Sequence, residues 1–431
     1  METVGENFDL MELEIPNPDD VQLVTLRKYM TPYIQDNVNL FESVFRPLYD
    51  KGRLLYHREI RSSMGPRVTV WDHVENRERR MLMFGSNNYL GLADDPEIKA
   101  EVIKTVETLG VGMAGPMILN GTGLLHKQLE TELAAFKRKE AALVVPTGYQ
   151  ANLAWVTSLV TAEAVVLYDE MSHASLIDAI QLGRKKAFRF NGRDNENLER
   201  LLQKFRADPR RDIFVAVQGV YSMTGEVSDL KKIAELCQRY QAKLVVDDAH
   251  GTGVLGGGRG TAEHFGVSDR VYLAMGTFSK AFGVTGGFLA GDTKTINYIR
   301  FFARPYFFTA AMTPMVASAA LAGLRLMVRE PSRVEKLIAN VNLFKEMLSE
   351  AHIHFSDNSS AIVPVYPPEE VDFRELSYQI HRRDLFINPI EPPAVPAGGE
   401  RFRVSLMATH TEADVREAVS ILKGAFARFS Q

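Results

Sequence analysis

The chain has 431 residues, and 50 Lys and Arg against 54 Asp and Glu leave a net charge of −4. With 45% hydrophobic and 24% charged residues it can bury a sizeable core, which excludes a disordered, collagen-like or disulfide-stapled protein. The charge balance gives no reason to expect nucleic acid or a membrane surface as partner, and the single Cys237 excludes an internal disulfide or a cysteine-based metal cluster.

Residues 1–60 read as an appended arm. Among the first 20 residues there is no Lys or Arg, but Glu2, Glu6, Asp9, Glu12, Glu14, Asp19 and Asp20, the reverse of a secretory signal. Between Val21 and Tyr49, the spacing of Leu23, Leu26, Met30, Tyr33 and Ile34 predicts an amphipathic helix that packs on the body or on a partner subunit. From about residue 140, short apolar runs alternate with helical stretches. AALVVP (141–146), AVVLYDE (164–170), DIFVAVQGV (212–220), KLVVDDAH (243–250), VYLAMGT (271–277) and GGFLAG (286–291) read as strands. Near-continuous apolar strands separated by amphipathic helices predict an α/β fold with a mostly parallel sheet. Pro305–Leu324 carries no charge over 20 residues, but Pro305, Pro314 and the hydroxyls of Thr309, Thr313 and Ser318 argue for a loop and then a buried helix from Pro314, not a membrane span. Beyond residue 330 a long helix (332–351), short strands at AIVPV, LFINPI and RFRVSL, and a closing helix predict a smaller α+β domain. The predicted division is 1–80 (arm and a segment of the small domain), 81–325 (large domain) and 326–431 (small domain).

Four clusters carry chemistry. GTFSKAFGVTGG (276–287) follows a strand and holds Lys280 among hydroxyls and glycines; a desolvated lysine there is a Schiff-base nucleophile, and Thr277 and Ser279 offer phosphate donors. Taken alone, the pattern also describes a glycine-rich loop with a solvated lysine. VVDDAHGTG (245–253) places Asp247 at the end of a hydrophobic strand, where ligands sit in open α/β sheets; its partner is a protonated pyridine nitrogen or a structural arginine. His250 follows. PTGYQANLA (146–154) is a strand, a glycine turn and a helix start, whose amides form an anion site. DEMSHAS (169–175) puts His173 after another strand, a place also taken by structural histidines. A phosphate cradle, a stacking His, an Asp for a ring nitrogen and a Schiff-base Lys are together the parts that hold pyridoxal phosphate. Asp247 and Lys280 are 280 − 247 = 33 residues apart, room for one crossover and one strand.

With NNYLGL (87–92), TGYQAN (147–152), SHAS (172–175), GVYSMTGE (219–226), DDAHGTGVLG (247–256), GTFSK (276–280), RPYFFTA (304–310), AIVPV (361–365) and RVSLMATHT (403–411) in this order, the chain resembles the α-oxoamine synthases from about Leu82 to Phe426. Its motifs look most like those of the bacterial serine palmitoyltransferases in that family. The resemblance implies the aspartate-aminotransferase-like fold (fold type I) with a seven-stranded sheet, and pyridoxal 5′-phosphate as cofactor. It implies a decarboxylating condensation of a small α-amino acid with an acyl thioester, on CoA or an acyl-carrier protein. It further implies a cytoplasmic homodimer with shared active sites, no nucleic acid, no transmembrane segment and no metal. Carried over residue by residue, Lys280 is the Schiff-base lysine and the acid/base, Asp247 holds the pyridinium proton, His173 stacks on the ring and His250 approaches its hydroxyl. Gly148 and Tyr149 give backbone donors to the phosphate with Thr277 and Ser279, Ser222 lies near the ring, and Thr309 reaches the phosphate of the neighbouring subunit. Asn88 and Arg403 hold the substrate carboxylate.

The chain departs from the family at several points. Pro116-Met117 stands where Ser-Arg is common, Glu391-Pro392-Pro393 where Arg-Pro-Pro is, Asp248 replaces a Glu, Gln218 an acid, and Asn191-Gly192-Arg193 replaces Arg-His-Asn. Glu391 reads either as a carboxylate that repels a substrate carboxylate or binds an amine, or as a solvated loop residue. An aminotransferase on the same fold and a non-catalytic partner subunit are the rival readings; the second loses the Schiff-base lysine that this chain keeps.

Overall fold

The computed structural model describes residues 17–18, 21, 25–392 and 394–429. The acidic stretch read from Glu2 to Asp20, and Leu23, thus lie outside the described residues. The helix expected before Tyr49 runs Ile34–Asp50 and buries Leu40, Val44 and Leu48, one stripe at four-residue spacing. Met30, Tyr33 and Ile34 of the predicted stripe are instead exposed.

Three strands follow for which the sequence predicted no element: β1 (Glu59–Ile60), β2 (Arg67–Asp72) and β3 (Arg77–Met83). β2 alternates half-buried and buried residues, the mark of a strand with one face on the core.

The central sheet holds β4 (Ala141–Val145), β5 (Val165–Asp169), β6 (Ala187–Phe190), β7 (Ile213–Gln218), β8 (Lys243–Asp247), β9 (Leu273–Thr277) and β10 (Gly287–Gly291), in the order β4-β10-β9-β8-β7-β5-β6. Six of these strands were legible in the sequence. The missed one, β6, pairs with β5 alone and reads Ala-Phe-Arg-Phe, four residues, too short to signal a strand. β10 runs antiparallel to both its neighbours; the other pairings are parallel. Along β7 and β8, Phe214, Ala216 and Val245 enter one core with Trp155 and Phe288, while Val215, Val217, Leu244 and Val246 enter another with Leu202 and Leu236. Both faces are covered, so every residue along these strands has an apolar layer to meet, whichever face it points to.

β11 (Ile362–Val365), β12 (Leu385–Phe386), β13 (Asn388–Ile390) and β14 (Arg401–Ser405) complete the strands. The run LFINPI divides: β12 pairs parallel with β3, and β13 pairs with β14, so one segment joins two small sheets. Pro314–Arg329 is a helix capped by Thr313, packed against helices Pro96–Leu109 and Leu124–Phe136. Among the described residues no helix is long and apolar enough to cross a membrane.

Candidate active site

The carboxyl ends of β4, β5, β8 and β9 converge on one cavity of about 320 Å³, whose walls include Gly148, His173, Asp247, His250, Ser279 and Lys280. Open α/β sheets bind ligands at this end because the strand-to-helix turns there leave amides and side chains free.

Two residues past β4 stands Thr147, whose hydroxyl caps the helix Gly148–Leu159 by accepting from the Gln150 amide at 3.1 Å. Gly148 and Tyr149, in the first turn, line the cavity, and their amides have no intrahelical acceptor. A Cβ on Gly148 would lie 2.8 Å from that of Thr277, and one on Gly287 would meet the Gly148 backbone at 2.7 Å. The helix start at Gly148 thus packs directly on the end of β9 and the start of β10, which leaves a cradle for an anion. Ser279 Oγ lies 2.9 Å from Thr277 Oγ1 at its rim. Thr277 donates its own proton to the Gly286 carbonyl at 2.8 Å, so in the contact between the two hydroxyls Ser279 is the donor and Thr277 the acceptor.

Asp247, at the end of β8, is buried; Asn152 Nδ2 and the Ala249 amide donate to its two oxygens at 2.9 and 3.2 Å. Burial pushes its carboxyl up, and these two donors pull it back. Among the described residues no cation forms an ion pair with it, so a protonated ring nitrogen in the cavity fits where the carboxylate lacks a partner. Lys280 Nζ lies 3.4 Å from Ser279 Oγ. Burial holds its amine below the ordinary lysine value, helped by the charge of Arg403 and opposed by Asp247. His250 Nδ1 pairs with Tyr89 Oη at 2.8 Å, and burial keeps its ring neutral.

Of the other predicted residues, Arg403 is buried and donates to the Ser222 carbonyl at 2.5 Å and to Ser405 Oγ at 3.1 Å. Ser222 and His173 border a second cavity of about 760 Å³ that adjoins the first at His173. Asn88 is not among the residues lining either cavity. Its amide donates to Met64 O and accepts from the Ala93 amide, which commits it to the turn it sits in. Thr309 accepts from Gln150 Nε2 at 3.3 Å within the same chain, beside the cradle helix.

The departures find physical reasons. Glu391 is neither solvated nor directed at substrate: it pairs with Arg374 at 3.0 Å, both side chains nearly buried. Met117 is buried in the core. Gly192 is required because a Cβ there would overlap Asp169 Oδ2 at 1.7 Å. Asp248 is enclosed behind the site, accepting from Thr261 and pairing with buried Lys137 at 2.9 Å. Lys137→Met leaves that carboxylate buried without its cation, and is expected to cost about 3–5 kcal/mol of folding free energy. Urea unfolding checks this; an unchanged midpoint would contradict it.

Asn152, Ser175, Trp155 and Lys137 escaped the sequence reading. The first two stand in quoted motifs, TGYQAN and SHAS, but neutral side chains carry no chemical signal until their partners are known.

The chain matches the family Aminotransferase class I and II over residues 79–422. It is 36% identical over 376 residues to the 8-amino-7-oxononanoate synthase of Petrotoga mobilis, a match covering 87% of this chain and 94% of that protein. The fold superposes on Sphingomonas wittichii serine palmitoyltransferase with a TM-score of 0.87 at 29% identity, covering 93% of this chain and 99% of the other. A further serine palmitoyltransferase structure, one with PLP, gives a TM-score of 0.84 at 28% identity and covers 91% and 99%. With the lysine, the buried carboxylate and the phosphate cradle all in place, the chain belongs to the class I and II aminotransferase family and, within it, to the α-oxoamine synthases.

Proposed function

We propose that the chain is a pyridoxal-phosphate-dependent C-acyltransferase. It condenses a small α-amino acid with an acyl thioester and releases CO2, a free thiol and an α-amino ketone. The observation that carries this reading is one cavity with Lys280 and Asp247 both in its wall and the Gly148 cradle at its rim.

Bound there, pyridoxal phosphate supplies an electron sink beside the α-carbon of the amino acid. Asp247 would hold a proton on the ring nitrogen, His173 would stack on the ring, and His250 and Ser222 would hold it from nearby. The Gly148 and Tyr149 amides, with Ser279 and Thr277, take the phosphate. Lys280 would hold the cofactor through its amine, and the same amine would take up the α-proton of the amino acid. Arg403, whose charge acts on both Lys280 and His250, holds the substrate carboxylate. The adjoining cavity admits the acyl thioester.

The lowered Lys280 value has a direct consequence. An amine that loses its proton below the ordinary 10.5 is free in larger share at neutral pH. The rate of cofactor uptake is expected to rise with pH and level off with a midpoint below 10.5. Stopped-flow absorbance against pH checks this, and a midpoint at or above that value would count against it.

The working unit is a homodimer in the cytoplasm. In it, Thr309 reaches the phosphate of the neighbouring subunit. Large exposed apolar side chains, Leu119, Leu124, Phe301, Phe302 and Phe308, support an interface there. The division at residues 80 and 325 separates the cofactor-binding part from the rest.

Serine palmitoyltransferase-like chemistry is preferred, on the closeness of fold. The alternative is the activity of the sequence relative: an 8-amino-7-oxononanoate bears amine and ketone on adjacent carbons with one methyl beyond, so its amino-acid half is alanine. Serine, glycine and alanine, each mixed with acyl-CoA of short and long chain, separate these readings. Equal release of thiol and CO2 is expected, fastest with serine and a long chain. Fastest turnover with alanine selects the alternative, and oxo-acid formation without thiol release would overturn the acyltransferase reading in favour of an aminotransferase.

A further inference from the structure

Behind the cavity lies a chain of hydrogen bonds whose direction is fixed by chemistry. Trp155 Nε1 lies 3.0 Å from Asn152 Oδ1. An indole nitrogen only donates, so the Asn152 amide must turn its oxygen to Trp155 and its nitrogen the other way. That nitrogen has two protons and two acceptors, Asp247 Oδ2 and Ser175 Oγ, both at 2.9 Å. Ser175 Oγ, having accepted, has its own proton left for His173 Nδ1 at 2.8 Å. The Ser175 backbone amide donates to the same ring nitrogen at 3.2 Å. Trp155, Asn152 and Ser175 are each at most 2% exposed, so water does not compete for these groups.

We infer that Trp155, Asn152 and Ser175 are positioning residues that fix His173 as the tautomer with a bare Nδ1 and its proton on Nε2. His173 therefore meets any group in the cavity as a hydrogen-bond donor through Nε2. The same Asn152 nitrogen clamps Asp247, so one neutral side chain sets the orientation of both the carboxylate and the imidazole. The proposed function supplies only the purpose of this arrangement. The tautomer is a property of the chain without cofactor, so a wrong cofactor assignment would leave it standing.

The test is solid-state 15N NMR at pH 8 on the full-length, cofactor-free protein labelled at its histidine rings. The chain has 10 histidines, and the His173 signals are those lost in His173→Asn. In the wild-type protein His173 is expected to show one protonated Nε2 and one bare Nδ1 shifted by accepted hydrogen bonds. Ser175→Ala and Trp155→Phe should each move the Nδ1 resonance toward that of an unbonded imine nitrogen. Both should also weaken pyridoxal phosphate binding, by about tenfold, the scale of one hydrogen bond. A wild-type Nδ1 that bears the proton overturns the inference, and so does a Trp155→Phe resonance left at the wild-type position. The wild-type spectrum needs no substitution, so it decides the tautomer even where a variant fails to fold.

Discussion

Lys280→Ala is expected to fold normally and to lose more than about 10⁴-fold in turnover. Proton transfer by a positioned side chain is worth roughly 10²–10⁴-fold, and this substitution also removes the covalent attachment. The backbone around it does not depend on the amine: the Lys280 carbonyl accepts from the Gly283 amide, and Ser279 stays tied to Thr277. A steady-state assay of thiol release beside a urea curve separates chemistry from folding. Turnover within tenfold of wild type would show that another group does this work.

Asp247→Asn is the second large effect. The substitution keeps volume and one acceptor oxygen toward Asn152, but removes the charge that holds a proton on the ring nitrogen. A buried electrostatic group aimed at developing charge is worth about 10²–10³-fold, and the loss here is expected at the upper end. The effect should fall on kcat, since the phosphate cradle is untouched and Lys280 stays in place, its amine only held lower once the charge of Asp247 is gone. Equal kcat with a raised KM would mean that Asp247 serves binding alone.

The parts of the site that were legible in the sequence are those that combine charge with position. Lys280, Asp247 and His173 each follow an apolar run, and the run-then-charge pattern places them at one end of a parallel sheet. The less legible parts depend on pairing across the chain. Lys137 meets Asp248 across 111 residues, and nothing near either one announces the other. Glu391 reads as exposed because the residues around it are loop-forming, yet Arg374, on a helix that starts at Phe373, turns it inward. Asn88, a polar side chain in a family motif, reads as a substrate ligand, and its amide here bonds the Met64 carbonyl and the Ala93 amide, partners that no local pattern announces. β6 and the strands β1 to β3 were missed for a simpler reason. β1 to β3 are about half polar and β6 is only four residues long, so only pairing with a neighbouring strand makes them sheet.

The covalent site can be read directly. The purified chain is incubated with pyridoxal phosphate, reduced with borohydride, digested and mapped by mass spectrometry. A single pyridoxyl-phosphate increment on the peptide holding Lys280 is the expected result. No increment, or one placed on another lysine while Lys280 stays bare, would contradict the assignment of Lys280 as the residue that holds the cofactor.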